Sequence, residues 1–296
     1  MKNALERRLR PAFSVGHMAL PQILFQDDTM LAFDKPHGMP VSPERGNASR
    51  AAALMPRVQA ELGDAIANVH RIDTDASGVL LCAKTKPALD YLSGQFQGKT
   101  AACVYHALVA LLPPGKTLTA KATVRADDGL LPDTFIVDHP LAEDADRPGC
   151  MRVCSKRDRA AKTSATEFRT LERFRGFAWV ECRPITARPH QIRLHLAAAG
   201  APVLHDALYG DPHIELRLSQ LKRGYKGQGD EKPLIARLAL HASAFTLKHP
   251  DTREPFTIQS PLPHELEIAL KYLRKFAAIK NRPADPAPTA STEDMI

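Results

Sequence analysis

Apolar residues in this chain come in short runs, punctuated by Asp, Gly and Pro, more often than in long helical stripes. That texture predicts many strands with scattered helices. Within residues 23–43, short apolar runs flank Asp27-Asp28, a hairpin signal, and Lys35-Pro36-His37-Gly38 makes a tight turn behind them. Leu54, Val58 and Leu62 recur at every fourth position, so residues 50–62 read as a helix that Gly63 stops. Asn68-Val69 close a short strand. Residues 75–78, Asp-Ala-Ser-Gly, are turn chemistry, and Val79-Leu80-Leu81 restart a strand. Ala88, Leu89, Leu92 and Phe96 predict a helix over 87–96, followed by a strand over 101–112.

Residues 113–159 are turn-rich and charged, with β-prone pieces at 120–125, 134–138 and 151–154. From 162 to 174 the side chains alternate: Thr163, Ala165, Glu167 and Arg169 against Ser164, Thr166, Phe168 and Thr170. This predicts a strand, and 177–185 another with Trp179 inside it. Pro189 suits the first turn of a helix whose apolar face is Ile192, Leu196 and Ala199 and whose end is Gly200. His190 and Arg193 share a different face. A short strand at 202–204, a helix over 211–225 and strands over 234–245 and 247–250 follow. A last helix over 263–276 carries Leu266, Leu270 and Leu273 on one face. Residues 1–22 read as a basic arm, 23–276 as the folded domain, and 277–296, with prolines and few apolar residues, as a disordered tail. The arm leaves no room for an RNA-binding module of the S4 type, and no internal repeat is visible.

Composition narrows the picture modestly. Of 296 residues, 44% are apolar and 25% charged, ordinary for a soluble globular protein able to bury a core. Forty Lys and Arg against 33 Asp and Glu give a formal charge of +7, which permits a nucleic-acid partner without demanding one. No apolar run approaches the roughly 20 residues of a membrane helix, and the charged N-terminus lacks a signal peptide's apolar core. The five cysteines are odd in number and scattered, and there is no Cys-x-x-Cys pair. Cys150, Cys154 and His139 are a conceivable metal set, but ordinary reduced thiols fit better. The cytoplasm is the expected compartment.

The chemistry starts from residues 68–84, NVHRIDTDASGVLLCAK. Arg71 and Asp73, two apart at the mouth of a strand, are a way to present one nucleophile or base. Alone, the pair reads better as surface charge beside a turn. The second stretch, PITARPHQIRLHLAAAGAPVLHDALYG at 184–210, changes that. Together the two resemble the RluA-type pseudouridine synthases. The first motif there is His-Arg-Leu-Asp with a Thr-Ser-Gly turn; the second is Gly-Arg-Thr-His-Gln-Leu-Arg-Val-His with a Gly-Asp-x-x-Tyr-Gly close. The Lys-Pro-x-Gly element at Lys35, a strand tyrosine at Tyr105, the Pro140-Leu141 and Arg147-Pro148 segment and a Leu-His-Ala strand at 240–242 fit in order. The likeness runs from about residue 23 to 263.

The resemblance implies an α+β fold, with a long, mostly antiparallel sheet in two halves, flanking helices and a central catalytic cleft. It implies an isomerase that breaks the N-glycosidic bond of a uridine, rotates the base and rejoins it through carbon. No atom is gained or lost, so neither cofactor nor metal is called for. By resemblance Asp73 is the catalytic carboxylate and Arg193 the cation that keeps it ionised against desolvation. Arg71 fills the gap left by an extruded base, and Tyr105 stacks on the uracil. Arg188 and His190 are candidates for phosphate contact or loop orientation, Lys35 a weaker one, and His70 belongs to the same substrate-binding set. The expected partner is structured ribosomal or transfer RNA, and the expected state a monomer. Departures from the pattern stand at Ala76, Cys103, Ala187, Pro189 and His205, and bear on substrate fit and loop shape. Two other classes stay open: an RNA-binding or ribosome-assembly protein with minor or lost catalysis, and an unrelated hydrolase, for instance a metal enzyme using His70, Asp73 and His190.

Overall fold

The structure, a computed structural model, describes residues 19–43, 53–113, 129–225 and 229–279. Most of the basic arm, the β-prone piece at 120–125 and the tail from 280 lie outside the described residues. β1 (Ile23–Gln26) and β2 (Met30–Lys35) form the expected hairpin. Asp27 Oδ1 closes it by accepting the Thr29 and Met30 N–H groups at 2.8 and 2.6 Å. α1 (Leu54–Leu62), β3 (Ala67–Asn68), β4 (Ser77–Ala83), α2 (Lys86–Gln97) and β5 (Ala102–Ala110) follow near their predicted places. α2 starts on the Thr85 hydroxyl, which accepts the Ala88 N–H, with Pro87 in the first turn. Then come β6 (Thr134–Val137), β7 (Leu141–Glu143), β8 (Met151–Val153), β9 (Thr166–Phe174), β10 (Phe177–Pro184) and α3 (Gln191–Ala198). α4 (Leu218–Leu221), β11 (Leu240–Lys248), β12 (Pro255–Gln259) and α5 (His264–Phe276) complete the order.

The fold is α+β, built on one long mixed sheet in the order β1-β2-β4-β11-β5-β10-β9-β6, with β3 on β4 and β12 on β11. Every pairing is antiparallel except β4 with β11, where only His241↔Ser77 and Ala242↔Gly78 are matched. That short parallel contact is the seam between the two halves. Gly78 makes it possible: at φ 113° it approaches so closely that a Cβ would lie 2.2 Å from the Ala242 carbonyl oxygen. One core gathers α3, α5 and the β5-β10-β9 half around Leu108, Trp179, Leu196 and Leu270. Two more line opposite faces of the other half, around Phe33 and Leu54 on one side and Met30, Leu92 and Phe245 on the other. Tyr105 packs against cores on both sides of the seam. A separate hairpin, β7 with β8, sits over α3 through Leu141, Met151, Leu194 and Tyr209.

Several expectations shift. The helix expected over 211–225 shrinks to the single turn of α4. Pro212 and side-chain bonds replace the helical ladder: Asp211 Oδ1 accepts the His213 N–H at 3.0 Å, and Arg217 is tied to Glu215 and to the Glu231 carbonyl. β9 begins at Thr166 rather than 162, and β11 at Leu240 rather than 234, though it runs unbroken to Lys248. The strand at 202–204 is one bridge, Val109↔Val203. β7 and β12 were not anticipated. α3 starts at Gln191, two residues after Pro189, and is buried all round instead of on one face. Among the described residues no helix is long and apolar enough to cross a membrane.

Candidate active site

Asp73 lies in the loop that delivers the chain from β3 to β4, directly at the seam. The Ala76 N–H donates to its carbonyl at 3.2 Å, closing a turn. Ala76 itself is buried in the main core, so the residue standing at the family's threonine fills apolar volume. Arg193 arrives from α3, 120 residues away, and its Nη1 donates to Asp73 Oδ2 at 3.5 Å. The two side chains are 2% and 22% exposed: a sealed cation facing a partly exposed carboxylate. The structure therefore brings together the two residues expected to meet.

The tighter partner of Arg193 was missed. Its Nε and Nη2 donate side-on to Asp206 Oδ2 and Oδ1 at 2.8 and 2.6 Å, and Asp206 is 1% exposed. Burial disfavours the guanidinium charge, but Asp206 first, then Asp73 and Asp75, offset it and hold Arg193 firmly protonated. The one sequence signal for Asp206 was its match to the Gly-Asp-x-x-Tyr-Gly close. Tyr209 of the same close lies under the guanidinium, 5.1 Å from Arg193 Cζ to the ring centroid.

His190 stands at the N-cap of α3 with φ 54°, a left-handed conformation unusual for a residue with a side chain. His205, where the family has glycine, is a second left-handed residue, at φ 57°. His190 Nδ1 and the Tyr209 hydroxyl are 2.7 Å apart. Burial lowers the His190 pKa, with Asp73 opposing, which favours the neutral ring. Arg188 is half-buried, with Nε donating to the Thr163 carbonyl at 3.2 Å. Gln191 fixes this loop: its Oε1 accepts from the Thr186 hydroxyl and Arg188 N–H, and its Nε2 donates to Ala165 and Thr166.

Tyr105 comes from β5, paired with Ala242 on one side and Cys182 on the other. Burial raises its phenol pKa, and the nearby Cys103, Asp73 and Cys182 raise it further, so the hydroxyl stays protonated. Arg71 is exposed beside the buried Ile72.

Two expected substrate contacts point elsewhere. His70 Nε2 accepts the Leu81 N–H at 3.0 Å, and the ring stacks on Phe245 and Phe96 with centroids 5.0 and 5.5 Å away. Burial lowers its pKa to about 4, so it is a neutral staple between the Asp73 loop and β4. It is also turned away from any ion shared with Asp73 and His190, which removes the geometric basis of the metal-hydrolase reading. Lys35 is fully buried, and its ammonium donates to the carbonyls of Pro36, Met39 and Thr74 at 2.8, 2.8 and 3.0 Å. It braces the Asp73 loop, with its ammonium turned to backbone carbonyls.

A partly exposed carboxylate, a sealed arginine beside it and a protonated tyrosine nearby suit chemistry on a base and its sugar. Residues 29–198 match the RNA pseudouridylate synthase family. The chain belongs to that family. It is 33% identical over 256 residues to ribosomal large subunit pseudouridine synthase C of Salmonella typhimurium, covering 85% of this chain and 70% of that protein. It is 29% identical over 273 residues to ribosomal large subunit pseudouridine synthase D of Neisseria meningitidis serogroup B, covering 90% and 65%. Among solved structures, human RNA pseudouridylate synthase domain containing 4 aligns with a TM-score of 0.61 at 25% identity, over 88% of this chain and 94% of that one. Human RNA pseudouridylate synthase domain containing 1, at 18% identity and a TM-score of 0.57, supports the fold alone. As an RNA pseudouridylate synthase, the chain is an isomerase acting on RNA.

Proposed function

We propose that this enzyme converts specific uridines to pseudouridine in structured ribosomal RNA, with Asp73 as the catalytic carboxylate. The observation that carries the reading is Asp73 at the seam, facing Arg193 at 3.5 Å. In the reaction the N1–C1′ bond breaks, the uracil turns, a C5–C1′ bond forms, C5 loses a proton and N1 gains one. Asp73 acts at C1′, at the base or on a sugar proton. In each case Arg193 stands beside it as the neighbouring cation. Arg71, exposed beside the loop, takes the place of the extruded base, and Tyr105 stacks on the uracil within the cleft. His190 and Arg188 line the entrance, where phosphates pass. Lys35 and His70 support the loop without touching RNA. The enzyme works as a monomer and without a cofactor. The relatives' names favour ribosomal RNA over transfer RNA as the substrate.

The test is pseudouridine mapping of total RNA from cells with and without the gene, by carbodiimide-based primer extension. A ribosomal site that disappears, and returns with wild type but not with Asp73→Asn, is the expected result. A site in a transfer RNA would move the substrate. If no site changes while RNA binding and the cellular phenotype survive Asp73→Asn, the protein acts as an RNA-binding assembly factor and the proposal fails.

A further inference from the structure

Arg193 has few ways to move. Asp206 grips one edge of the guanidinium through two parallel bonds, and Tyr209 covers one face. The grip is itself fixed. Asp206 Oδ1 also accepts the N–H groups of Leu208 and Tyr209 at 2.9 and 3.1 Å. The Gly210 N–H returns to the Asp206 carbonyl at 2.9 Å, and a Cβ at Gly210 would lie 2.5 Å from that oxygen. The Tyr209 hydroxyl is held from the far side, accepting the Met151 N–H at 2.8 Å from β8 and meeting His190 Nδ1 at 2.7 Å. What remains of the fork is Nη1, and it faces Asp73.

We propose that Asp206 and Tyr209 are positioning residues: they aim Arg193 and take most of its hydrogen bonds, so that Asp73 faces the cation without being locked into a full ion pair. The inference rests on the reading of Asp73 and Arg193 given above. The distances carry it. Asp206 takes the short bidentate contacts and leaves Asp73 a single long one, 3.5 Å against 2.6 and 2.8 Å. A carboxylate held as tightly as Asp206 would have to break two charge-assisted bonds before reacting. One cation between two carboxylates, with the spectator taking the stronger share, leaves the reactive carboxylate available. The charged and titratable groups around Arg193 are Asp73, Asp75, Asp206 and His190, with the Tyr209 phenol against its face. The Tyr209 hydroxyl ties the arrangement to β8 of the β7–β8 hairpin.

The experiment compares full-length wild type, Asp206→Asn, Tyr209→Phe and Asp73→Asn. Each is assayed by single-turnover tritium release from ribosomal RNA transcribed with C5-tritiated uridine, across pH, with RNA affinity and thermal melting measured alongside. In Asp206→Asn the rate should fall about a hundredfold, the cost of a misaimed group, while RNA affinity holds. Its acid limb should move to lower pH, because the guanidinium charge then falls wholly to the remaining carboxylate. Tyr209→Phe keeps the ring and should lower the rate with affinity unchanged. An unmoved acid limb, with rate loss tracking loss of melting temperature or affinity, would reduce Asp206 to a structural bond and overturn the proposal. If Asp206→Asn does not fold, Tyr209→Phe decides, and a wild-type rate there overturns it. Asp73→Asn separates the two readings: turnover surviving in it sinks the proposed function, whereas a dead Asp73→Asn beside a normal Asp206→Asn sinks only this inference.

Discussion

The Lys35 ammonium donates to the Thr74 carbonyl at 3.0 Å, one residue along the chain from Asp73. The same ammonium holds the carbonyls of Pro36 and Met39, so one buried cation joins the turn after β2 to the Asp73 loop. Burial pulls its pKa from 10.5 down to about 7, opposed by Asp73 and Asp75. The unfolded chain therefore binds more protons than the folded one between about pH 7 and 10.5, and folding gains from Lys35 as pH rises through that window. The slope is at most about 1.4 kcal/mol per pH unit. Lys35→Met removes this slope and takes the ammonium donor from three carbonyls, at about 1–3 kcal/mol for each one left unsatisfied. Urea midpoints from pH 6.5 to 9.5 should show the gap between wild type and variant widening with pH. A constant gap would mean that Lys35 keeps its ordinary titration.

How much of this was legible in the chain varies with the range of the interaction. Local periodicity placed β5, β10, α1, α2 and α5 within a few residues, because burial of one face repeats at the element's own period. β12, five residues of PFTIQ, was lost because a short edge strand repeats too few times to be seen. The 211–225 helix was over-read because side-chain bonds at Asp211 and Arg217, invisible to periodicity, compete with the backbone ladder. The site was legible only through resemblance. Nothing local to Asp73 announces Arg193, and nothing local to Arg193 announces that Asp206 holds it more tightly. His70 and Lys35 stand in the matching motifs, yet burial turns one into a staple and the other into a brace. A motif marks a residue as belonging to the site without saying which way its side chain faces.

Gly78 and Ala242 meet backbone to backbone at the only parallel junction among the described strands. Gly78→Ala would add a Cβ at φ 113° and 2.2 Å from a carbonyl oxygen, and no flexible side chain is there to yield. The seam must open, and the Asp73 loop enters β4 there. The expected cost is above about 3 kcal/mol, combining backbone strain with overpacking. Chemical denaturation should show a midpoint far below wild type, and any folded fraction should have lost turnover. A stability within about 1 kcal/mol of wild type, the range of a tolerated swap, would mean that the seam is looser than the β4–β11 pairing implies.

Tyr105 offers a test that separates its ring from its hydroxyl. The ring packs between cores on both sides of the seam, and the phenol pKa lies well above 10, raised by burial first and by Cys103, Asp73 and Cys182 after it. A group that stays protonated throughout the working range adds no alkaline limb to the rate profile below pH 10. If stacking on uracil is the main contribution, Tyr105→Phe should keep RNA affinity and lose at most about tenfold in single-turnover rate, less than full general acid–base catalysis supplies. Tyr105→Ala removes the platform, worth about 1–3 kcal/mol per stacked base, and should lower kcat/KM by about 5- to 150-fold. Melting curves on both variants separate that loss from the destabilisation left by a core cavity. Equal losses in the two variants would transfer the role from the ring to the hydroxyl. Tyr105 would then be a proton donor, held neutral by the same burial that was read as a stacking pocket.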